Sequence, residues 1–215
     1  MNTITLQQVL PAVFSETHEG FDSDVWLKNL TIEKGKFYLI EAASGTGKSS
    51  FCSYLYGYRH DYSGEILFDN KSSQLLSTRQ WTSLRRSSLS FLFQDLRLFP
   101  ELTARENIEL KNNITHHKSE LEIRQFFEMM GINDKWDTKV SKMSFGQQQR
   151  IAFIRALCQP FDFILLDEPI SHLDDANGHI MARILLQECK VQNAGIIVTS
   201  IGKHLEINYD KILSL

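Results

Sequence analysis

One stretch of the chain has residue types suited to phosphate chemistry: Ser44-Gly45-Thr46-Gly47-Lys48-Ser49-Ser50. Small side chains let successive backbone N–H groups and the start of a following helix face an anion. Lys48 would reach the β- and γ-phosphates of a nucleotide, and the Ser49 hydroxyl would ligate Mg2+. The usual spacing places a glycine where this chain has Ala42, a small change. A second pair, Asp167-Glu168, follows the apolar run Phe163-Ile164-Leu165-Leu166. Open α/β sheets put their ligands at the carboxyl ends of strands. Asp167 is therefore expected to hold Mg2+ through water, and Glu168 to polarise an attacking water. Either feature alone has a plain explanation, a glycine turn or a strand ending in solvated acids. Together they point to a bound nucleotide.

Such residues need a frame. Residues 25–32 and 37–42 read as strands joined by a turn at Lys34-Gly35. Residues 49–58 have helical composition, so the glycine loop lies between a strand and a helix. Residues 65–68 look like one arm of a hairpin, 77–86 a helix and 89–93 a strand. Helical stretches dominate from 100 to 140. The clearest, 118–130, has Leu121, Phe126, Met129 and Met130 on a broad apolar face and Gly131 at its end. A helix at 146–158, a strand at 161–166, a helix at 175–192 and strands at 195–200 and 211–215 complete the chain. Strands alternating with helices imply a parallel sheet covered on both faces.

Four motifs in order, the phosphate loop, Gln94 after a strand, Met143-Ser144-Phe145-Gly146-Gln147 and Leu166-Asp167-Glu168-Pro169, resemble the ATPase subunit of an ATP-binding cassette (ABC) transporter. The match covers nearly the whole chain. Phe93-Gln94-Asp95-Leu96-Arg97-Leu98-Phe99-Pro100, with Leu102-Thr103 and Glu106-Asn107-Ile108, looks most like the branch of lipoprotein-release, macrolide-export and cell-division ATPases. The resemblance implies an α/β P-loop NTPase fold with a mostly parallel sheet, an antiparallel β arm and an inserted helical subdomain. The nucleotide-binding core would be residues 1–95 and 143–215, and the helical subdomain 96–142. ATP and Mg2+ would be bound, with Gly45, Thr46, Gly47 and Ser50 around the phosphates. Gln94 matches the glutamine that touches Mg2+ and the attacking water and senses the membrane partner. Ser144, Gly146 and Gln147 match the signature that caps the ATP held by the opposite subunit; Ser144 and the amides after it make a second anion site. Ser171-His172-Leu173-Asp174 matches the turn in which Asp174 works across the dimer interface. For the adenine, Phe14 is the preferred aromatic platform, with Phe21 close behind. Partners would be integral membrane subunits and a second ATPase subunit, an identical copy before a different one, at the cytoplasmic face of the membrane.

Two positions depart from the pattern. Phe145 replaces the first glycine of the signature, and Ser200 stands where the family has a histidine that contacts the γ-phosphate; His204 lies four residues on. Either other donors compensate, or the chain is a slow, regulatory ATPase that couples ATP-gated dimerisation to a membrane partner. Charge and composition narrow the remaining classes. Lys plus Arg is 23 against 26 Asp plus Glu, a net charge of −3, which leaves no footprint for nucleic acid. No apolar run approaches the ~20 residues that span a bilayer. The first Lys or Arg is Lys28, so no basic leader is expected. Cys52, Cys158 and Cys189 are too few and too scattered for a disulfide frame or zinc site. A soluble cytoplasmic chain is expected.

Overall fold

Phe163–Asp167 and Gly195–Ser200 are buried at every position, which an apolar run without alternation achieves only inside a sheet covered on both faces. The computed structural model describes residues 1–15, 22–43 and 45–215. In chain order its strands and longer helices are β1 (Thr3–Pro11), β2 (Asn29–Glu33), β3 (Phe37–Glu41), α1 (Lys48–Leu55), β4 (Tyr62–Phe68), β5 (Lys71–Ser72), α2 (Thr78–Ser87) and β6 (Leu89–Leu92). There follow α3 (Ala104–Asn112), α4 (Glu120–Met129), α5 (Phe145–Leu157), β7 (Phe163–Asp167), α6 (Asp175–Gln192), β8 (Gly195–Ser200) and β9 (Lys211–Ser214). β6-β7-β8-β3-β9 form one sheet in that order, and every neighbouring pair is parallel. β2-β1-β4-β5 form a second, antiparallel sheet. The α/β class and the antiparallel arm are thus as expected.

Alternation along the parallel strands builds two cores. Ile164, Leu166, Ile196 and Val198 face Phe153, Phe127 and Leu185 on the side of α4, α5 and α6. Phe163, Leu165, Ile197, Tyr38 and Ile40 face Phe51 and Tyr54 of α1 and, beyond them, Ile4, Leu6 and Ile32 of the antiparallel sheet. Each such side chain, fully buried, contributes about 1.5–3 kcal/mol. The helices start where side chains satisfy their first N–H groups. Ser77 with Gln80, Thr103 with Glu106, Ser119 with Glu122 and Ser144 with Gln147 each form a reciprocal cap.

Two sequence expectations need correction, and one strand was not among them. Residues 25–28 are not strand: Val25 and Trp26 are buried in a turn whose backbone N–H groups donate to Ser23 Oγ at 3.1 and 2.9 Å. The apolar face of α4 is only partly the expected one. Leu121 and Met129 are 68% and 38% exposed, while Ile123, Phe126, Phe127 and Met130 are buried. Those four keep an i, i+3, i+4, i+7 spacing, the stripe a helix presents to a core. Gly131 does end the segment, with φ +62° and its N–H donating to Glu128 O at 3.0 Å. Finally β1 was unforeseen. Its pairing with β4 shifts between Gln7 and Leu10, a bulge that breaks the alternation a strand shows in sequence. Gly64 faces this bulge at φ +81°, and a Cβ there would sit 2.3 Å from Gln8 O. No other residue fits.

Candidate active site

The phosphate loop joins the end of β3 to α1, and Ser44 lies outside the described residues. Gly47 precedes the helix at φ +100° with no side chain capping the first turn, so those N–H groups face outward unclaimed by a side chain. At Gly45, φ +86°, nothing lies within 4 Å of where a Cβ would be. The loop is propped from beneath. A Cβ on Gly47 would come within 3.2 Å of both the Phe14 and Trp26 rings, and Trp26 Nε1–H donates to Thr46 O at 3.1 Å. Thr46 Oγ1 in turn donates to Ala43 O at 2.8 Å. Lys48 folds back over the loop, donating to Ala42 O and Ala43 O at 3.3 and 3.0 Å. Ser50 is buried and accepts from Arg59 Nη1 at 2.9 Å.

The acids come from the neighbouring strands. Asp167 ends β7 opposite Thr199 of β8, whose Oγ1 donates to Asp167 Oδ1 at 2.5 Å. Ser49 Oγ donates to the other carboxylate oxygen at 3.3 Å. Asp167 is only 4% exposed. Burial pushes its carboxyl above the ordinary aspartate range, opposed by the bonds from Thr199 and Ser49 and by the charge of Lys48. Glu168 takes a left-handed backbone, φ +50°, a conformation that costs free energy at a non-glycine residue. Its N–H donates to Thr199 O at 3.1 Å, and its carbonyl accepts from Gln149 Nε2 at 3.4 Å and Ser171 Oγ at 3.2 Å. Gln149, buried in α5, also donates to Pro169 O at 2.7 Å. The bend is therefore held from three sides. Gly45, Gly47, Lys48, Ser49, Ser50, Gln94, Glu168 and Ile201 line an open cavity of about 310 Å3. A neighbouring hollow of about 240 Å3 shares Ser49 and Gln94 and adds Asp167. Trp26, Gln149 and Thr199 are structural supports that sequence reasoning missed.

Ser144, Gly146, Gln147 and Asp174 lie outside this cavity, as do Thr46, Asp167, Phe14 and Ser200. Ser144 caps α5, its Oγ accepting from Gln147 N at 3.3 Å while Gln147 Oε1 accepts from Ser144 N at 3.0 Å. A Cβ on Gly146 would be 3.2 Å from His172 O, so the start of α5 packs on the turn before α6. Asp174 caps α6 through Asn177 N at 2.8 Å, and that bond holds its carboxyl below the ordinary range. Ser144, Gly146, Gln147 and Asp174 form a separate cluster. Phe145 turns outward, 44% exposed, with its ring 4.2 Å from that of His172. Ser200 is buried, and its hydroxyl donates to Lys203 O at 2.5 Å; Ile201 lines the cavity instead. Phe14 is half-buried beside Gly47, and Phe21 lies outside the described residues. A lysine, an open helix start, a hydroxyl–carboxylate pair and a second carboxylate suit a polyphosphate and its hydrolysis.

The family model for ABC transporters matches residues 28–171. The chain belongs to the ABC transporter family. It is the ATP-binding cassette ATPase of that family, and its relatives fall in the branch expected from residues 93–108. Over 190 residues it is 32% identical to the macrolide export ATP-binding/permease protein MacB of Aggregatibacter actinomycetemcomitans, covering 87% of this chain but 29% of MacB. It is 29% identical over 220 residues to the lipoprotein-releasing system ATP-binding protein LolD of Legionella pneumophila (strain Lens), covering 100% of this cassette and 96% of LolD. The dimeric structure of MJ0796, a bacterial ABC transporter cassette, superposes with a TM-score of 0.76 at 29% identity, covering 91% of this chain and 87% of that one. The same cassette in a post-hydrolysis state bound to ADP and Pi gives 0.74 at 28% identity, with the same coverage. No helix among the described residues is long and apolar enough to cross a membrane.

Proposed function

We propose that the cavity lined by Lys48, Ser49, Gln94 and Glu168 binds Mg2+-ATP, and that two copies of the chain enclose two nucleotides between them. The residues fit the ligand. The Ser49 hydroxyl and Asp167 carboxylate are hard oxygen donors of the kind that hold Mg2+ directly or through water, and Gln94 shares their hollow. Bound there, the ion would neutralise charge on the phosphate oxygens. Lys48 exchanges its two loop carbonyls for β- and γ-phosphate oxygens. Glu168, its side chain set by the bent backbone, orients and polarises the attacking water. Phe14 offers the ring beside Gly47 for the adenine.

The observation that carries the sandwich is the separation of the two anion sites. Ser144, Gly146, Gln147 and Asp174 are absent from the lining of the cavity that holds the phosphate loop. Grouped at the packed starts of α5 and α6, they are assigned in this reading to a nucleotide held by another subunit. Residues 1–95 and 143–215 form the nucleotide-binding core and 96–142 the helical subdomain in this reading. Between them lies a cavity of about 250 Å3 lined by Tyr56, Tyr58, Phe93, Arg97, Phe99, Lys111 and Arg155, among others. Arg155 holds its rim by donating to Leu96 O and Arg97 O at 2.6 and 2.7 Å, in the segment that begins at Gln94. An integral membrane subunit seated there would move Gln94. Closure on ATP and opening after hydrolysis would drive such subunits from the cytoplasmic face of the membrane. The experiment is calorimetric titration of ATP with Mg2+: the wild-type chain binds, and Lys48→Ala does not. Equal affinity in the two would refute the site.

A further inference from the structure

The turn between β7 and α6 carries a histidine that none of these roles uses. His172 is exposed. The Ser171 hydroxyl donates to Glu168 O, so at 2.9 Å it accepts from His172 Nδ1–H. Nε2 is left outward, without a hydrogen-bond partner among the described residues. The imidazole ring lies 4.2 Å from the ring of Phe145, inclined at 56°, and the His172 carbonyl abuts Gly146. This imidazole therefore stands beside the residues assigned above to the opposite subunit's nucleotide. Within the chain's own cavity no imidazole is present among the lining residues, and the Ser200 hydroxyl is committed to Lys203 O.

We propose that His172 acts across the subunit interface, its Nε2 donating to the terminal phosphate held by the second copy, and that Phe145 is the positioning residue that fixes the imidazole. The proposal rests on the two-copy sandwich. With a proton on each ring nitrogen, the imidazole donates through Nδ1–H to Ser171 and through Nε2–H to the phosphate. The hydrogen-bonded series His172–Ser171–Glu168 then ties contact with one nucleotide to the backbone of the glutamate serving the other. Phe145, in a position where glycine is usual, has a use: its ring replaces solvent on one face of the imidazole and restricts it to one orientation.

Removing a preorganised donor to a transition state costs about 10²–10³-fold in rate. His172→Ala is expected to lower kcat on that scale while the chain's own ATP affinity, measured by calorimetry, stays unchanged. Phe145→Ala should lower kcat less, Phe145→Tyr should restore it, and Phe145→Ala should add nothing in the His172→Ala background. A His172→Ala rate within about twofold of wild type, far short of that loss, would overturn the assignment. Mixed subunits test the direction of action. Lys48→Ala subunits keep His172, and His172→Ala subunits keep a working phosphate loop. In a mixed dimer one composite site is complete only if His172 serves the opposite nucleotide, so an equal mixture should hydrolyse ATP several-fold faster than the mean of its components. The same mixture with Ser144→Arg in place of His172→Ala tests the sandwich itself. Recovery with Ser144→Arg but not with His172→Ala overturns His172 alone. Recovery with neither overturns the sandwich, and His172 with it.

Discussion

Thr199→Val removes one hydroxyl and almost no volume. That hydroxyl donates to Asp167 Oδ1 at 2.5 Å from a fully buried position, and Asp167 itself is 4% exposed. A hydrogen bond to a charged group contributes about 1.5–3 kcal/mol, and a buried acceptor left unpaired loses the whole of it. Valine returns a little through its extra methyl. The expected loss is about 2 kcal/mol at neutral pH, or about 4–8 °C in Tm for a chain of this size. The pH dependence follows from Asp167. Burial raises its folded carboxyl above the ordinary range, so the ionised form weighs against the folded state at neutral pH, and this cost disappears as pH falls through the folded value. Thr199 offsets part of the cost only while the carboxylate is ionised. The difference between variant and wild type should therefore be largest at neutral pH and shrink on acidification. Urea denaturation at neutral and mildly acidic pH measures both. A loss of equal size at the two pH values, or none at neutral pH, would show that the hydroxyl does not stabilise a buried carboxylate.

Trp26→Phe deletes the donor to Thr46 O and leaves a gap beneath Gly47. ATP affinity should fall by about tenfold, the equivalent of one net hydrogen bond of ~1–1.5 kcal/mol, with a lowered Tm; unchanged calorimetric affinity would release Trp26 from the site. Ser200→Ala should change kcat far less than the ~10²-fold loss that follows removal of a donor aimed at a transition state, because the hydroxyl is spent on Lys203 O. Steady-state hydrolysis decides this, and a large loss would place Ser200 in the reaction.

What could be read in the sequence was local. The phosphate loop, the acids ending β7 and the caps Ser144 and Asp174 each depend on residues within a few positions of one another, and the parallel sheet follows from its alternation with helices. What escaped joins distant positions. Trp26 reaches the loop over 20 residues, Gln149 reaches Pro169 over 20, and Thr199 meets Asp167 over 32; no spacing rule marks them. β1 was hidden because Gln7 and Gln8 interrupt its alternation at the bulge. On α4 the periodic set 123, 126, 127, 130 was present, and the apolar but exposed Leu121 and Met129 drew the face away from it. Ser200 stands where the family has a histidine, and the turn after β8 directs its hydroxyl into the chain, onto Lys203 O.

That two copies enclose ATP is tested most directly by the mass of Glu168→Gln in solution. The amide keeps the size and hydrogen bonding of the side chain but cannot polarise water, so bound ATP should persist. Light scattering after size separation should show a dimer with ATP, a monomer with ADP or without nucleotide, and a monomer with ATP once Lys48→Ala is added. A Glu168→Gln chain that stays monomeric at saturating ATP would contradict the sandwich.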